Sequence, residues 1–358
     1  MNSEDNDSKR RLGGPGFGLR LTFGYLFSDP KKGAFVRAKG ITYDTGFTPG
    51  GRSTRPDFNP GAVKQEMRII ADDLHCDAVR ITGSDPERLS IAAGHAADAG
   101  LEVWFSPFPC EQTAQELLPY FADCADRAEA AGAAVFVAGC ELSLFNTGFL
   151  PGADTFARIK SLSGGEPEAV GRLADASAAM NTLLADTAAT VRRRFRGRIT
   201  YASGTWEDVD WAPFDIVGVD AYVDPDDPGF RTAVQQFLRH GKPLAATEFG
   251  CCTYRGAAAR GGMGWDIVDH DANPPRIPGD HVRDEEEPAR YLRRLIGAFD
   301  QEGVDTAFWF TFASYNSPYH PDPHLDLDMA GFGVCKVMPD GHLEPKRAFH
   351  AMAELYGK

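Results

Sequence analysis

From Lys39 onward, short runs of apolar and β-branched residues alternate with longer stretches in which Ala, Leu, Glu and Arg recur at helical spacing. The short runs are Gly40-Ile41-Thr42-Tyr43, Ala78-Val79-Arg80-Ile81-Thr82, Leu101-Glu102-Val103-Trp104-Phe105 and Ala134-Val135-Phe136-Val137-Ala138. They continue with Ile199-Thr200-Tyr201-Ala202, Ile216-Val217-Gly218-Val219, Leu244-Ala245-Ala246-Thr247 and Ala307-Phe308-Trp309-Phe310. Each predicts a strand, and most are continuously apolar, as strands covered on both faces are. Helices are predicted between them. One opens at Asp85-Pro86-Glu87, a cap followed by a proline and an acid, and ends near Gly100. Others run from Gln112 to Ala131, Glu166 to Arg194, Glu285 to Phe299 and Pro345 to Tyr356. Alternating strands and helices predict a parallel sheet with helices outside. Eight strands over roughly 270 residues predict a single-domain (β/α)8 TIM barrel. The stretch 203–215 is too short for an ordinary crossover helix, so a short or distorted one is expected there. Residues 1–36 are Gly- and charge-rich without periodicity and read as a tail or lead-in; 37–358 read as the barrel domain.

Composition narrows the partners. The chain has 358 residues, 43% hydrophobic and 25% charged, enough to bury a core without disulfides or a structural metal. Its formal net charge of −14 argues against nucleic acid held through phosphates and against an anionic membrane surface. A small-molecule substrate remains. Seven cysteines, an odd number with no CxxC pair, suit free thiols in a reducing compartment. Arg10 and Arg11 could begin a twin-arginine signal, but Arg20 interrupts the apolar stretch that follows, and no segment is apolar for ~18 residues. A cytoplasmic location is expected. The sequence sets no oligomeric state.

In a TIM barrel, chemistry gathers at the C-terminal ends of the strands. Gly139-Cys140-Glu141-Leu142-Ser143 follows the fourth strand, and Thr247-Glu248-Phe249-Gly250 follows the seventh. A carboxylate where a buried strand runs out is costly unless it is paired or used. Two across one barrel mouth are what glycoside cleavage requires, one to protonate the leaving oxygen and one to attack the sugar carbon or activate water. Glu141 and Glu248 are the candidate catalytic pair, and the pair calls for no cofactor and no metal.

This layout resembles the clan A glycoside hydrolases, retaining barrel enzymes with an acid/base glutamate after strand four and a nucleophilic glutamate after strand seven. The similarity covers roughly 39–312. It rests on Lys39-Gly40-Ile41-Thr42-Tyr43-Asp44, Val79-Arg80-Ile81-Thr82-Gly83, the two glutamates, Asp220-Ala221-Tyr222 and Trp309. By that resemblance Arg80 steadies the nucleophile, Tyr222 stands beside it and Trp309 floors the sugar. Asp44, Asp220 and Tyr201 are further candidates for substrate binding. The clan ordinarily has asparagine just before the acid/base, binding the sugar 2-hydroxyl; here Cys140 stands there, a poor hydrogen-bonding partner. The chain is also similar to actinobacterial proteins carrying abortive-infection labels.

The resemblance implies an intracellular retaining glycosidase or transglycosylase acting on a small glycoside. Two alternatives stay open. One is a cyclase or lyase of specialised metabolism that reuses the cleft, and the other is a catalytically silent binding protein, for instance in phage defence. Retention predicts a carboxyl separation of ~5–5.5 Å. The positive charge of Arg80 would favour a negative Glu248, while Glu141, beside Leu142 and Cys140, would keep its proton and serve as the acid. Trp104 reads as filler of the barrel interior, and Cys140, Cys251 and Cys252 as buried inert thiols. The segment from His320 to Asp328 has His and Asp at alternate positions but reads as a polar substrate-lining loop rather than a metal site. The long Cys251 to Asp284 stretch, with glycines at 256, 261, 262 and 264 and Pro274-Pro275, reads as a lid over the site or an oligomer contact.

Overall fold

The computed structural model describes residues 36–358. All but the last residue of the expected lead-in lies outside the described residues. Eight parallel strands form the barrel: β1 (Ala38–Asp44), β2 (Ala78–Gly83), β3 (Glu102–Pro107), β4 (Val135–Cys140), β5 (Arg198–Ala202), β6 (Val217–Asp220), β7 (Leu244–Phe249) and β8 (Thr306–Trp309). Hydrogen-bonded neighbours run β5-β4-β3-β2-β1-β8-β7-β6, so the ring is laddered all the way round except between β5 and β6. A single parallel bridge, Ser203 to Val219, closes that seam. The two strands approach closely: a side-chain carbon on Gly218 would lie 2.2 Å from the Tyr201 carbonyl, so only glycine fits.

The helices are α1 (Pro60–Arg68), α2 (Pro86–Asp98), α3 (Ala114–Ala130), α4 (Leu142–Phe145), α5 (Thr155–Ser163), α6 (Pro167–Gly171), α7 (Leu173–Arg192), α8 (Phe230–Leu238), α9 (Glu286–Glu302) and α10 (Arg347–Tyr356). The Asp85 carboxylate caps α2 by accepting from the Glu87 amide at 2.8 Å, as its sequence predicts. The helix expected from Glu166 to Arg194 breaks in two at Arg172. The sequence reading did not include α4, α5, α8 or α1, whose start Asn59 caps ahead of Pro60. No helix forms between β5 and β6; the expected short one is a loop of turns.

Strand alternation sorts the core into two layers. Inside the barrel sit Ala38, Ala78, Trp104, Val135, Val137, Ala245 and Phe308, with Trp104 and Phe308 in edge contact at 4.8 Å. Gly40 leaves room for them: a side-chain carbon there would stand 2.7 Å from the Phe308 ring. Residues of the opposite parity, such as Phe105, Phe136 and Ile199, face the helices. Toward the C-terminal ends the register slips between β4 and β5, between β6 and β7 and between β7 and β8. Such irregularities re-aim the last side chains of a strand. A two-stranded hairpin, β9 (Cys335–Val337) with β10 (Leu343–Pro345), precedes α10.

Candidate active site

The strand ends open into a cavity of about 1000 Å³ whose lining includes Asp44, Cys140, Glu141, Asp220, Tyr222 and Glu248. Glu248 is 7% exposed. Arg80 Nη1 donates to its Oε1 at 2.7 Å, and the Tyr222 hydroxyl donates to its Oε2 at 2.9 Å. Arg80 is wholly buried and is fixed by Ser106 Oγ at 3.1 Å and the Thr247 carbonyl at 2.9 Å. A guanidinium has the several donors such a triple contact needs.

Glu141 is held differently. Its backbone is left-handed, φ 41° and ψ 46°, in a region that non-glycine residues occupy at a cost. Three contacts hold the turn: the Glu141 amide donates to the Ala202 carbonyl at 2.9 Å, the Leu142 amide to the Tyr201 hydroxyl at 2.8 Å, and the Ser143 amide to Glu207 at 3.2 Å. Among the described residues, no side chain hydrogen-bonds to the Glu141 carboxyl. Burial, followed by the charges of Asp220, Glu248 and Glu207, pushes it well above the usual carboxyl range. The acid role expected from Leu142 and Cys140 thus meets a proton-retaining environment, caused mainly by burial and by three other acids.

Asp220 ends β6 and is 3% exposed. Thr247 Oγ1 donates to its Oδ1 at 2.8 Å, and the Cys140 thiol lies 3.3 Å from its Oδ2 and 3.6 Å from Glu248 Oε1. Burial and then Glu248 raise its affinity for a proton. Cys140, Asp220 and Glu248 bring three ligand-type atoms within 4.8 Å of one another. Arg80, bonded to one of the three, already supplies the local positive charge, so this set does not suit a metal cation. Asp44 accepts from the Gly46 amide at 2.7 Å, and burial pushes it up to about 6.

No family model matches the chain, and no curated protein matches it in sequence. Solved structures do match. A GH113 β-1,4-mannanase is 15% identical with a TM-score of 0.58, over 90% of this chain and 99% of that one. The GH113 β-mannanase of Alicyclobacillus acidocaldarius in complex with ManMIm is 18% identical with a TM-score of 0.56, over 90% and 97%. A family 1 β-glucosidase from Thermotoga maritima is 12% identical with a TM-score of 0.56, over 92% and 98%. The chain has the (β/α)8 barrel of these glycoside hydrolases. At such identities the likeness is one of fold.

Within this (β/α)8 barrel, three candidate residues do not line the cavity: Trp309, Tyr201 and Arg80, which sits behind Glu248. Trp309 does not floor the cavity. Its ring is fully buried on the helix side, edge-on to Phe249 at 5.5 Å and Tyr291 at 6.4 Å, with Nε1 donating to the Phe332 carbonyl at 3.1 Å. Neighbouring strand residues face opposite sides, so Phe308 fills the interior and Trp309 the exterior. The aromatic groups at the β8 end of the cavity are Phe310, whose peptide to Thr311 is cis, and Phe332. Tyr201 also does not line the cavity; its hydroxyl donates to Glu207 Oε2 at 2.8 Å while accepting from Leu142. It positions the turn that carries Glu141.

The loop between β5 and β6 supplies two groups outside the sequence reading. Trp206 lines the cavity, and its Nε1 donates to Ser143 Oγ at 3.1 Å. Glu207 is buried, and burial pushes it up to about 7 against the hydrogen bonds from Ser143, Tyr201 and Gly204. The missing helix was the available signal: a connector that short keeps its first residues close to the end of β5.

Trp104 fills the interior, and all seven cysteines are free and buried, with burial pushing each thiol up. In the segment from His320 to Asp328, Asp326 and Asp328 are spent on Arg283 at 2.9 and 2.8 Å, and Asp328 also on Lys346 at 3.1 Å. The Cys251 to Asp284 stretch walls the cavity with Met263, Trp265 and Val268, and Gly261 and Gly262 pack on Tyr222. No helix among the described residues is long and apolar enough to cross a membrane.

Proposed function

We propose that the protein is a retaining glycosidase or transglycosylase acting on a small glycoside in the cytoplasm, with Glu248 as nucleophile and Glu141 as acid/base. The observation that carries this reading is the contrast between the two carboxyls at one cavity. Glu248 is locked by a guanidinium and a phenol. Among the described residues Glu141 has no hydrogen-bonding side chain, and burial followed by the neighbouring acids raises its affinity for a proton. That contrast divides a nucleophile from an acid.

In the first step a Glu248 oxygen attacks the anomeric carbon. The bond to the departing oxygen breaks, its electron pair stays with that oxygen, and Glu141 gives up its proton there. In the second step water attacks the same carbon, Glu141 takes a proton from it, and the glycosyl–Glu248 ester breaks. An alcohol in place of water gives transfer. Arg80 and Tyr222 keep the nucleophile's orientation fixed through both steps.

Exposure to a panel of cyclitol epoxides and 2-fluoroglycosides, followed by mass spectrometry, tests the reading. A covalent adduct on Glu248 is the expected result, and the reactive sugar shape narrows the substrate. No adduct across the panel moves the chain to the cyclase or lyase reading. That second reading is favoured by one observation: the residue before Glu141 is Cys140, whose thiol is directed at Asp220 and Glu248.

A further inference from the structure

The polar groups of the cavity gather at the strand ends; its outer part has a different chemistry. On one side α5 contributes Phe156, Ile159 and Leu162, and on the other the stretch after β7 contributes Met263, Trp265 and Val268. Phe156 and Trp265 meet edge-on at 6.0 Å, so the two insertions touch at the rim. Phe156 is 43% exposed, a large aromatic ring that folding has left in solvent. Two of the polar side chains nearby, Arg260 and Ser163, are directed elsewhere, and His270 stands beyond Val268. Arg260 donates to the Asp266 carbonyl at 3.0 Å, and Ser163 to the Lys160 carbonyl at 3.3 Å.

Such a wall discriminates by chemistry. A sugar placed against it would bury hydroxyls without partners, which costs affinity. A hydrocarbon has no such groups and gains roughly fourfold in affinity for each methylene it buries. The wall is also continuous with the cavity that holds Glu141 and Glu248, and a pocket of this kind typically combines an apolar lining with few polar groups that fix orientation.

We propose that the wall between α5 and the Met263–Val268 stretch is the subsite for an apolar aglycone, a hydrocarbon group carried by the glycoside. The sugar then occupies the strand ends, and the bond to be broken lies between the two. The assignment of the group as an aglycone rests on the glycosidase reading; the affinity for hydrocarbon does not.

The test therefore starts without a sugar. N-phenyl-1-naphthylamine is titrated into the full chain and displaced with 1-hexanol, 1-heptanol and 1-octanol. One saturable site is expected, with displacement tightening about fourfold per added methylene. Trp265→Ser and Phe156→Ser should each weaken probe binding, on the order of tenfold for the larger loss of apolar contact. Absence of saturable binding, displacement indifferent to chain length, or wall variants that bind like the native chain would overturn the proposal. The chain-length series needs no variant and so stands even where a variant fails to fold. A positive series with no adduct on Glu248 keeps the apolar site and removes the glycosidase; an adduct without the series does the reverse.

Discussion

Arg80 Nη1 lies 2.7 Å from Glu248 Oε1, and the guanidinium that makes this contact is completely enclosed by the barrel. Removing the cation strands a buried acid. Arg80→Met should cost roughly 3–5 kcal/mol in urea unfolding. Arg80→Lys retains the charge but loses the fork that also holds Ser106 and the Thr247 carbonyl. It should stay folded while kcat/KM falls on the order of 100-fold, because the nucleophile is no longer fixed.

The two glutamates should fail in opposite ways. Glu141→Ala is expected to lose turnover on glycosides with poor leaving groups and to regain it with azide, giving a product of retained configuration. Glu248→Ala, where azide rescues it, should give inversion. Proton NMR of the azide products separates the two. Unaffected variants would remove the pair from catalysis, and inversion from the Glu141 variant would reverse the assignment.

Glu207 ties stability and activity to pH. Its carboxyl rises from 4.5 to about 7 on folding, and that of Asp44 from 3.8 to about 6. Between those limits these two groups bind more protons in the folded chain than in the unfolded one, so their contribution to stability falls as pH rises toward 7 and levels off above it. Glu207→Gln should flatten the upper part of that fall in melts taken from pH 5 to 8. It also removes one of the negative charges that keep Glu141 protonated. The alkaline limb of kcat/KM should move to lower pH, a shift that loss of structure alone would not give.

Chelation should leave activity intact. Asp326 and Asp328 of the His320 to Asp328 segment are already paired with Arg283 and Lys346. Lys346→Met should instead appear in thermal melts, with a loss toward the low end of roughly 3–5 kcal/mol because Arg283 still reaches Asp328. Loss of activity on chelation, restored by a divalent ion, would bring the segment into the mechanism.

Most of the barrel was legible because its strands are apolar on both faces and stand out from amphipathic helices. The positions of Glu141 and Glu248 were legible for the same reason, as acids where apolar runs stop. Parity was not: Phe308-Trp309-Phe310 is aromatic throughout, so the sequence does not say which ring faces in, and the structure puts Trp309 outside. Helix α1 was missed because Glu66 stands on its buried face between Val63 and Met67, and α8 because it follows an acidic, Pro-rich turn. Trp206 and Glu207 lie where neither helical nor strand period exists. Their place follows from the register slips and from Ser143, Tyr201 and Gly204, contacts that span up to 64 positions in the chain.

The connector between β5 and β6 does two jobs with one short piece of chain. It completes the ring through Ser203, and it carries Trp206 and Glu207 to the turn beneath Glu141. Elsewhere in the barrel, loops on the mouth can lengthen or shorten without touching closure. Here an insertion that retunes the site also loosens the ring, and a change that tightens the ring also moves the acid. Thermostability and activity are therefore coupled variables at this connector. Selection for either one, in the laboratory or in nature, has to move both together along 203–216.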